Sequence, residues 1–155
     1  MSPDGAPPRK ILFICTGNTC RSVMAERMLL RISEVRKLGW EARSCGVAAE
    51  RYFQVSKQVR ECLGKEGVGE FEHIAQLVTR DLLRWADLAL VMTDEHRDEV
   101  FDRYPEFETK LHVLRRYLDL PSPNIEDPVG QSLKVHEECL VKIKEAVEAL
   151  VKKHA

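Results

Sequence analysis

Arg9-Lys10-Ile11-Leu12-Phe13-Ile14-Cys15-Thr16-Gly17-Asn18-Thr19-Cys20-Arg21-Ser22 joins an unbroken apolar run to a small polar turn. A run without polar alternation predicts a strand buried on both faces, as in a parallel sheet. The segment from Arg21 to about Leu38 follows as a helix, with Met24, Met28, Leu29, Ile32, Val35 and Leu38 near helical spacing and Gly39 as a stop. Strand, glycine-containing turn and helix together make the first unit of an α/β fold.

The same alternation continues to the end of the chain. Residues 40–46 predict a second strand and 55–66 a helix. Thr79 and Asp81 begin a short helix, and 87–92 predict a third strand. Thr93 caps a helix to about Tyr104, and 111–114 read as a weak fourth strand. Pro121, Pro123 and Pro128 mark a long loop before a final helix of about 20 residues carrying Val135, Cys139, Ile143, Val147 and Leu150. The expected fold is a three-layer, doubly wound α/β sandwich on a four-stranded parallel sheet. Ligands of such folds bind at the carboxyl ends of the strands, where the Cys15 loop lies.

Composition narrows the function classes. The chain has 155 residues, 44% hydrophobic and 32% charged, with a formal net charge of -1. These values describe a globular domain without the basic excess of a nucleic-acid binder. No apolar run reaches the roughly 20 residues of a membrane span. Residues 1–8, rich in Pro and Gly, lack the apolar core of a signal peptide and read as a flexible extension. Residues 9–155 then form one domain. Five cysteines, an odd number spread through a chain of this size, point to free thiols and a cytoplasmic setting. No Cys-x2-Cys pair or histidine cluster has zinc spacing, so neither metal nor cofactor is expected.

The chemistry resides in Cys15-x5-Arg21. Such a match is weak alone, and Cys45 with Arg51 repeats it. Context separates the two, because Cys15 ends a strand and Arg21 is followed by Ser22 and a helix. A phosphate dianion needs several donors, which inward-turned amides at a helix N-terminus supply. Gly17 and Asn18 suit the positive φ of a tight loop. Arg21 can hold two phosphoryl oxygens with its planar fork. Cys15 lies beneath the phosphorus, and Ser22 can hydrogen-bond its sulfur. A thiolate attack also needs an acid for the leaving group. Ile125-Glu126-Asp127-Pro128 offers two carboxylates in a loop.

Cys-Thr-Gly-Asn-Thr-Cys-Arg-Ser followed by Val23-Met24-Ala25-Glu26 resembles the low-molecular-weight protein-tyrosine phosphatase family. The likeness extends over Ser44-Cys45-Gly46, His73, Ala86-Asp87-Leu88, Met92 with His96, and Asp127-Pro128. It implies a Rossmann-like phosphatase with Cys15 as nucleophile, Arg21 as phosphoryl clamp and Asp127 as acid, then base. Thr16, Gly17, Asn18, Thr19, Cys20, Arg21 and Ser22 would bind the phosphate. Asn18, Ser44 and His73 would brace the loop from behind. Cys20 is either a partner for a reversible disulfide with Cys15 or a small buried side chain. Val23 stands where the family usually has proline, which should weaken the helix entry slightly.

The resemblance covers several chemistries. Tyrosine-specific members often carry isoleucine at the fifth loop position, whereas Thr19 resembles the protein-arginine phosphatases. A hydroxyl there can meet a guanidinium, and Asp127 can pair with its charge. Val129-Gly130 lack the aromatic platform that usually follows Asp-Pro, which disfavours phosphotyrosine and also departs from arginine phosphatases with phenylalanine. Tyr52 and Phe53 could supply an aromatic wall. Arsenate reductases need two further mid-chain cysteines, and none lies between Cys62 and Cys139. Phosphocarrier domains need no acid, so Asp127 argues against them. Phosphorylated proteins, phosphoarginine foremost and phosphotyrosine second, are the expected substrates, with no nucleic-acid or membrane partner.

Overall fold

A computed structural model describes residues 5–155. Four residues of the expected extension, 1–4, lie outside the described residues. Of the rest, Pro8 is buried and its carbonyl accepts a hydrogen bond from Arg9 Nη1 at 2.8 Å.

Strand β1 (Lys10–Cys15) is the centre of the sheet. It pairs in parallel with β2 (Glu41–Gly46) on one side and β3 (Leu88–Val91) on the other, and β3 pairs in parallel with β4 (Leu111–Val113). The order is β2-β1-β3-β4. Successive β1 side chains point to opposite faces. Ile11, Phe13 and Cys15 therefore pack under α1 (Arg21–Arg36), α2 (Lys57–Lys65) and α6 (Leu133–Lys153). Leu12 and Ile14 pack under α3 (Arg80–Trp85) and α4 (Asp94–Arg103). This is the expected three-layer arrangement, and its apolar run is continuous because both faces are covered. The Asp87 carboxylate accepts from the Arg9 and Lys10 amides at 2.9 and 3.0 Å, fixing where β1 begins.

Sequence periodicity fails where local geometry takes over. Val35, in the last turn of α1, is 59% exposed, and Lys37 turns into the left-handed region at φ 55°. The Leu38 amide then closes on Ser33 O at 2.9 Å, so the helix ends before Gly39. A 3-10 segment at Pro105–Lys110 and a one-turn helix α5 (Leu114–Tyr117), too short to carry a periodic signal, flank β4. Among the described residues, no helix is long and apolar enough to cross a membrane.

Candidate active site

Among the α-helices longer than one turn, capping singles out one. Hydroxyls of Ser56, Thr79, Thr93 and Ser132 accept amide hydrogen bonds at the starts of α2, α3, α4 and α6. Helix α1 has Cys20 at its capping position and no side-chain cap. Its first amides and positive dipole end therefore face the loop that joins it to β1.

The carbonyls of that loop are taken up from outside. Val47 N and Ala48 N donate to Cys15 O and Thr16 O, each at 2.9 Å, and His73 Nε2 lies 2.7 Å from Asn18 O. Turning the acceptors outward leaves donors for the pocket, the arrangement an anion requires. Asn18 alone has positive φ, at 58°. Gly17 is not in the left-handed region, so its expected conformational role is corrected. A side chain at Gly17 would instead meet the Phe53 ring at 3.5 Å, inside the pocket both residues line.

Behind the loop runs a directed chain of hydrogen bonds. Asn18 Nδ2 donates to Ser22 Oγ at 3.0 Å and Ser44 Oγ at 2.9 Å, while Asn18 Oδ1 accepts from Gln76 N at 3.0 Å. Ser44 Oγ donates to Glu26 Oε1 at 2.6 Å. With one lone pair of Ser22 occupied by Asn18, its O–H is free for Cys15 Sγ at 2.9 Å. Asn18, Ser44 and His73 thus meet behind the loop. Glu26 and Gln76 complete the chain and were not anticipated. An acid one helical turn after Ser22, on the same face of the helix, was the available signal for Glu26, which the structure buries.

Arg21 is 4% exposed. Its Nη1 donates to Ile125 O at 2.9 Å, and its Nη2 donates to Thr16 Oγ1 at 3.1 Å and lies 3.6 Å from Asp127 Oδ2. Arg21 Nε is buried without a partner. A buried guanidinium nitrogen without an acceptor is costly unless a ligand supplies one. The segment bearing Asp127 is anchored by Ile125 N, which donates to Met92 O at 3.0 Å. Asp127 itself is 45% exposed, and its Oδ1 accepts from Val129 N at 3.0 Å. The carboxylate is therefore held at the rim, open to solvent on one side.

Cys15, Thr16, Gly17, Thr19, Cys20, Arg21, Phe53, Gln54, Asp127 and Val129 line a cavity of about 340 Å³. Cys15 and Arg21 lie on its floor side, 2% and 4% exposed. Burial pushes the Cys20 thiol well above its ordinary range, so Cys20 is a protonated neighbour of Cys15 rather than a second thiolate. Cys139 is pushed up to about 12 by the same cause. Cys45, the other match to the motif, is fully buried on β2, while Arg51 is exposed. Nothing joins that pair into a pocket.

Gly46 sets how closely β2 approaches the loop. A Cβ there would collide with Thr16 O and lie 3.0 Å from Asn18 N, both backbone atoms. Gly46→Ala is expected to displace the loop, lowering kcat/KM at least tenfold and stability by about 1–3 kcal/mol. Steady-state kinetics beside thermal melts check this, and unchanged kinetics would show that the loop does not need the close approach.

The model of the low molecular weight phosphotyrosine protein phosphatase family matches residues 10–155. A protein-arginine-phosphatase of Geobacillus stearothermophilus is 32% identical over 147 residues, covering 94% of this chain and 96% of its own. A crystal structure of a YwlE mutant from Bacillus subtilis superposes with a TM-score of 0.87 at 29% identity, over 93% of this chain and 97% of that one. The low molecular weight protein tyrosine phosphatase of T. tengcongensis gives 0.88 at 34% identity, over 93% and 98%. By sequence, fold and the geometry of the Cys15 loop, the chain belongs to the low molecular weight phosphotyrosine protein phosphatase family and is a cysteine-dependent phosphatase.

Proposed function

We propose that the chain hydrolyses phosphoarginine on proteins through a phospho-Cys15 intermediate. The observation that carries this reading is Thr19. Its side chain stands in the cavity wall between Gly17 and Cys20, where an aliphatic residue would make an apolar seat for a phenol ring. A threonine hydroxyl and a carboxyl oxygen of Asp127, on the same cavity, can each accept from a guanidinium N–H. A side cavity of about 100 Å³ sharing Thr19 brings the polar side chains of Gln54, Ser56, Gln58 and His136 beside Cys20, Val129 and Gly130. The protein-arginine-phosphatase relative supports the same assignment.

Cys15 Sγ attacks phosphorus, forming the S–P bond as the P–N bond breaks. Asp127, in its acid form, protonates the departing guanidine. Arg21 and the loop amides hold the three equatorial oxygens as charge redistributes. Asp127 then takes a proton from the water that attacks phospho-Cys15, and phosphate leaves. Ser22 donates to the thiolate that is released. Asn18, Ser44 and His73 keep the loop in shape between the two steps.

One observation favours phosphotyrosine instead. Phe53 lines the cavity, and Tyr52, 75% exposed, meets its ring edge-on at 5.0 Å between centroids. The two readings separate in kcat/KM on matched phosphoarginine and phosphotyrosine peptides. A wild-type preference for phosphoarginine that shifts at least tenfold toward phosphotyrosine in Thr19→Ile is expected. A preference for phosphotyrosine in the wild type sinks the arginine assignment. A preference unmoved by Thr19→Ile removes the role given to that side chain.

The same reading places the protein in the cytoplasm, where five free cysteines stay reduced. Residues 9–155 act as one domain, with 1–8 an extension outside the chemistry. The partners are phosphorylated proteins, and the net charge of -1 gives no attraction to nucleic acid.

A further inference from the structure

Thr16 is a loop residue whose side chain the hydrolysis steps leave without a role. It is exposed into the cavity, unlike the braced residues around it. Its Oγ1 is 3.1 Å from Arg21 Nη2, a group that can only donate, and 2.8 Å from His96 Nε2. His96 comes from the first turn of α4, eighty residues away, and is 4% exposed. Its backbone amide donates to Thr93 Oγ1 at 3.1 Å. Its other ring nitrogen, Nδ1, is buried without a partner.

That bare Nδ1 decides the direction of the hydrogen bond. Burial and the nearby Arg21 charge hold the imidazole down to about 4, against the Asp127 charge that acts to raise it, so the ring is neutral near pH 7. A neutral ring carries one proton. If the proton were on Nδ1, a buried N–H would have no acceptor, the rarer and more heavily penalised kind of orphan. With the proton on Nε2, His96 donates to Thr16, and Nδ1 is only an unused lone pair. Thr16 Oγ1 then receives two N–H donors, from Arg21 and His96, which occupy both of its lone pairs. Its own hydrogen has one direction left, into the cavity.

We propose that the Thr16 hydroxyl is a directed donor to the reacting phosphoryl group, and that His96 is the positioning residue that fixes its direction. Arg21 Nη2 lies 3.1 Å from Thr16 Oγ1 and 3.6 Å from Asp127 Oδ2, so the hydroxyl stands on the acid's side of the guanidinium. In the free enzyme its hydrogen points into the cavity. In the complex it faces a phosphoryl oxygen, adding one preorganised donor where negative charge shifts during transfer. His96 does not touch substrate and acts only through Thr16. The inference holds for a phosphoarginine or a phosphotyrosine ester alike, so it stands or falls separately from the substrate assignment.

The test uses p-nitrophenyl phosphate, which carries neither a guanidinium nor a peptide. Thr16→Val is expected to lower kcat about tenfold with KM within twofold, and Thr16→Ser to recover most of the loss. His96→Leu should match Thr16→Val, and His96→Gln, which keeps an N–H at the place of Nε2, should be near wild type. The double variant Thr16→Val with His96→Leu should be no slower than the slower single one, because both remove the same donor. Multiplicative losses in the double variant, or a Thr16→Val enzyme within twofold of wild type in kcat, overturn the proposal. A second measurement needs no variant. Nitrogen-15 NMR of the wild-type enzyme at neutral pH should show His96 protonated at Nε2 and bare at Nδ1, and the opposite tautomer overturns the directed hydroxyl even if His96→Leu does not fold.

Discussion

Cys15→Ser is expected to lower kcat about ten-thousand-fold or more while leaving the fold and oxyanion binding in place. A serine hydroxyl at this position has no general base to take its proton, since Ser22 donates toward the side chain and Asn18 donates to Ser22. The attacking atom therefore stays protonated in the ground state. A ten-thousand-fold loss corresponds to about 5.5 kcal/mol of transition-state stabilisation. The side chain is nearly isosteric and 2% exposed, and its backbone is paired with Gly46 of β2, so stability should change little. Binding of vanadate or tungstate, measured by calorimetry, should survive because the loop amides and Arg21 remain. Retention of more than about 1% of turnover would place the nucleophile elsewhere. Cys20→Ser is the matched control, since burial keeps that thiol protonated and its loss should cost far less.

The second large effect is at Asp127. Asp127→Ala should lower kcat about a hundred- to thousand-fold on substrates with basic leaving groups, with KM changed only modestly. The carboxylate lies 3.6 Å from Arg21 Nη2, too far to dominate how the guanidinium is held, since Ile125 O and Thr16 Oγ1 accept from it at 2.9 and 3.1 Å. Removing the acid should therefore affect the proton transfer more than the phosphate clamp. The loss should shrink as the leaving group becomes less basic, and a substrate such as p-nitrophenyl phosphate should show the smaller deficit. Asp127→Asn keeps an acceptor for the Val129 amide and should be as slow as the alanine variant. An equal loss on good and poor leaving groups would argue for a structural rather than an acid role. Full hydrolysis in Asp127→Ala would leave Glu126 as the proton donor.

What could be read in the sequence is what is local. The run Lys10–Cys15 announces a doubly covered strand by composition, and the Cys15 loop and Asp127-Pro128 are contiguous motifs. Element boundaries were readable where a hydroxyl caps a helix, as at Thr93. They were not readable where Lys37, a residue without special preference, adopts the left-handed turn that ends α1. The pairings that were not readable join distant segments. His96 reaches Thr16 across eighty residues, and Gln76 reaches Asn18 across fifty-eight. Neither pairing leaves a spacing pattern, because it depends on which strands lie side by side. Gly17 misled for a related reason. Glycine allows positive φ without requiring it, and here Asn18 alone adopts it.

The central place of β1 has a consequence for how the molecule responds to its ligands. The strand that ends in Cys15 is hydrogen-bonded on both edges and covered on both faces. The phosphate loop therefore cannot open by local fraying, as an edge strand or a surface loop can. Losing it means losing the middle of the sheet. Any oxyanion seated there is thus linked to global unfolding, and inorganic phosphate, the reaction's own product, is expected to raise the melting temperature of the whole chain. At one hundred times its dissociation constant that linkage amounts to about 2.7 kcal/mol.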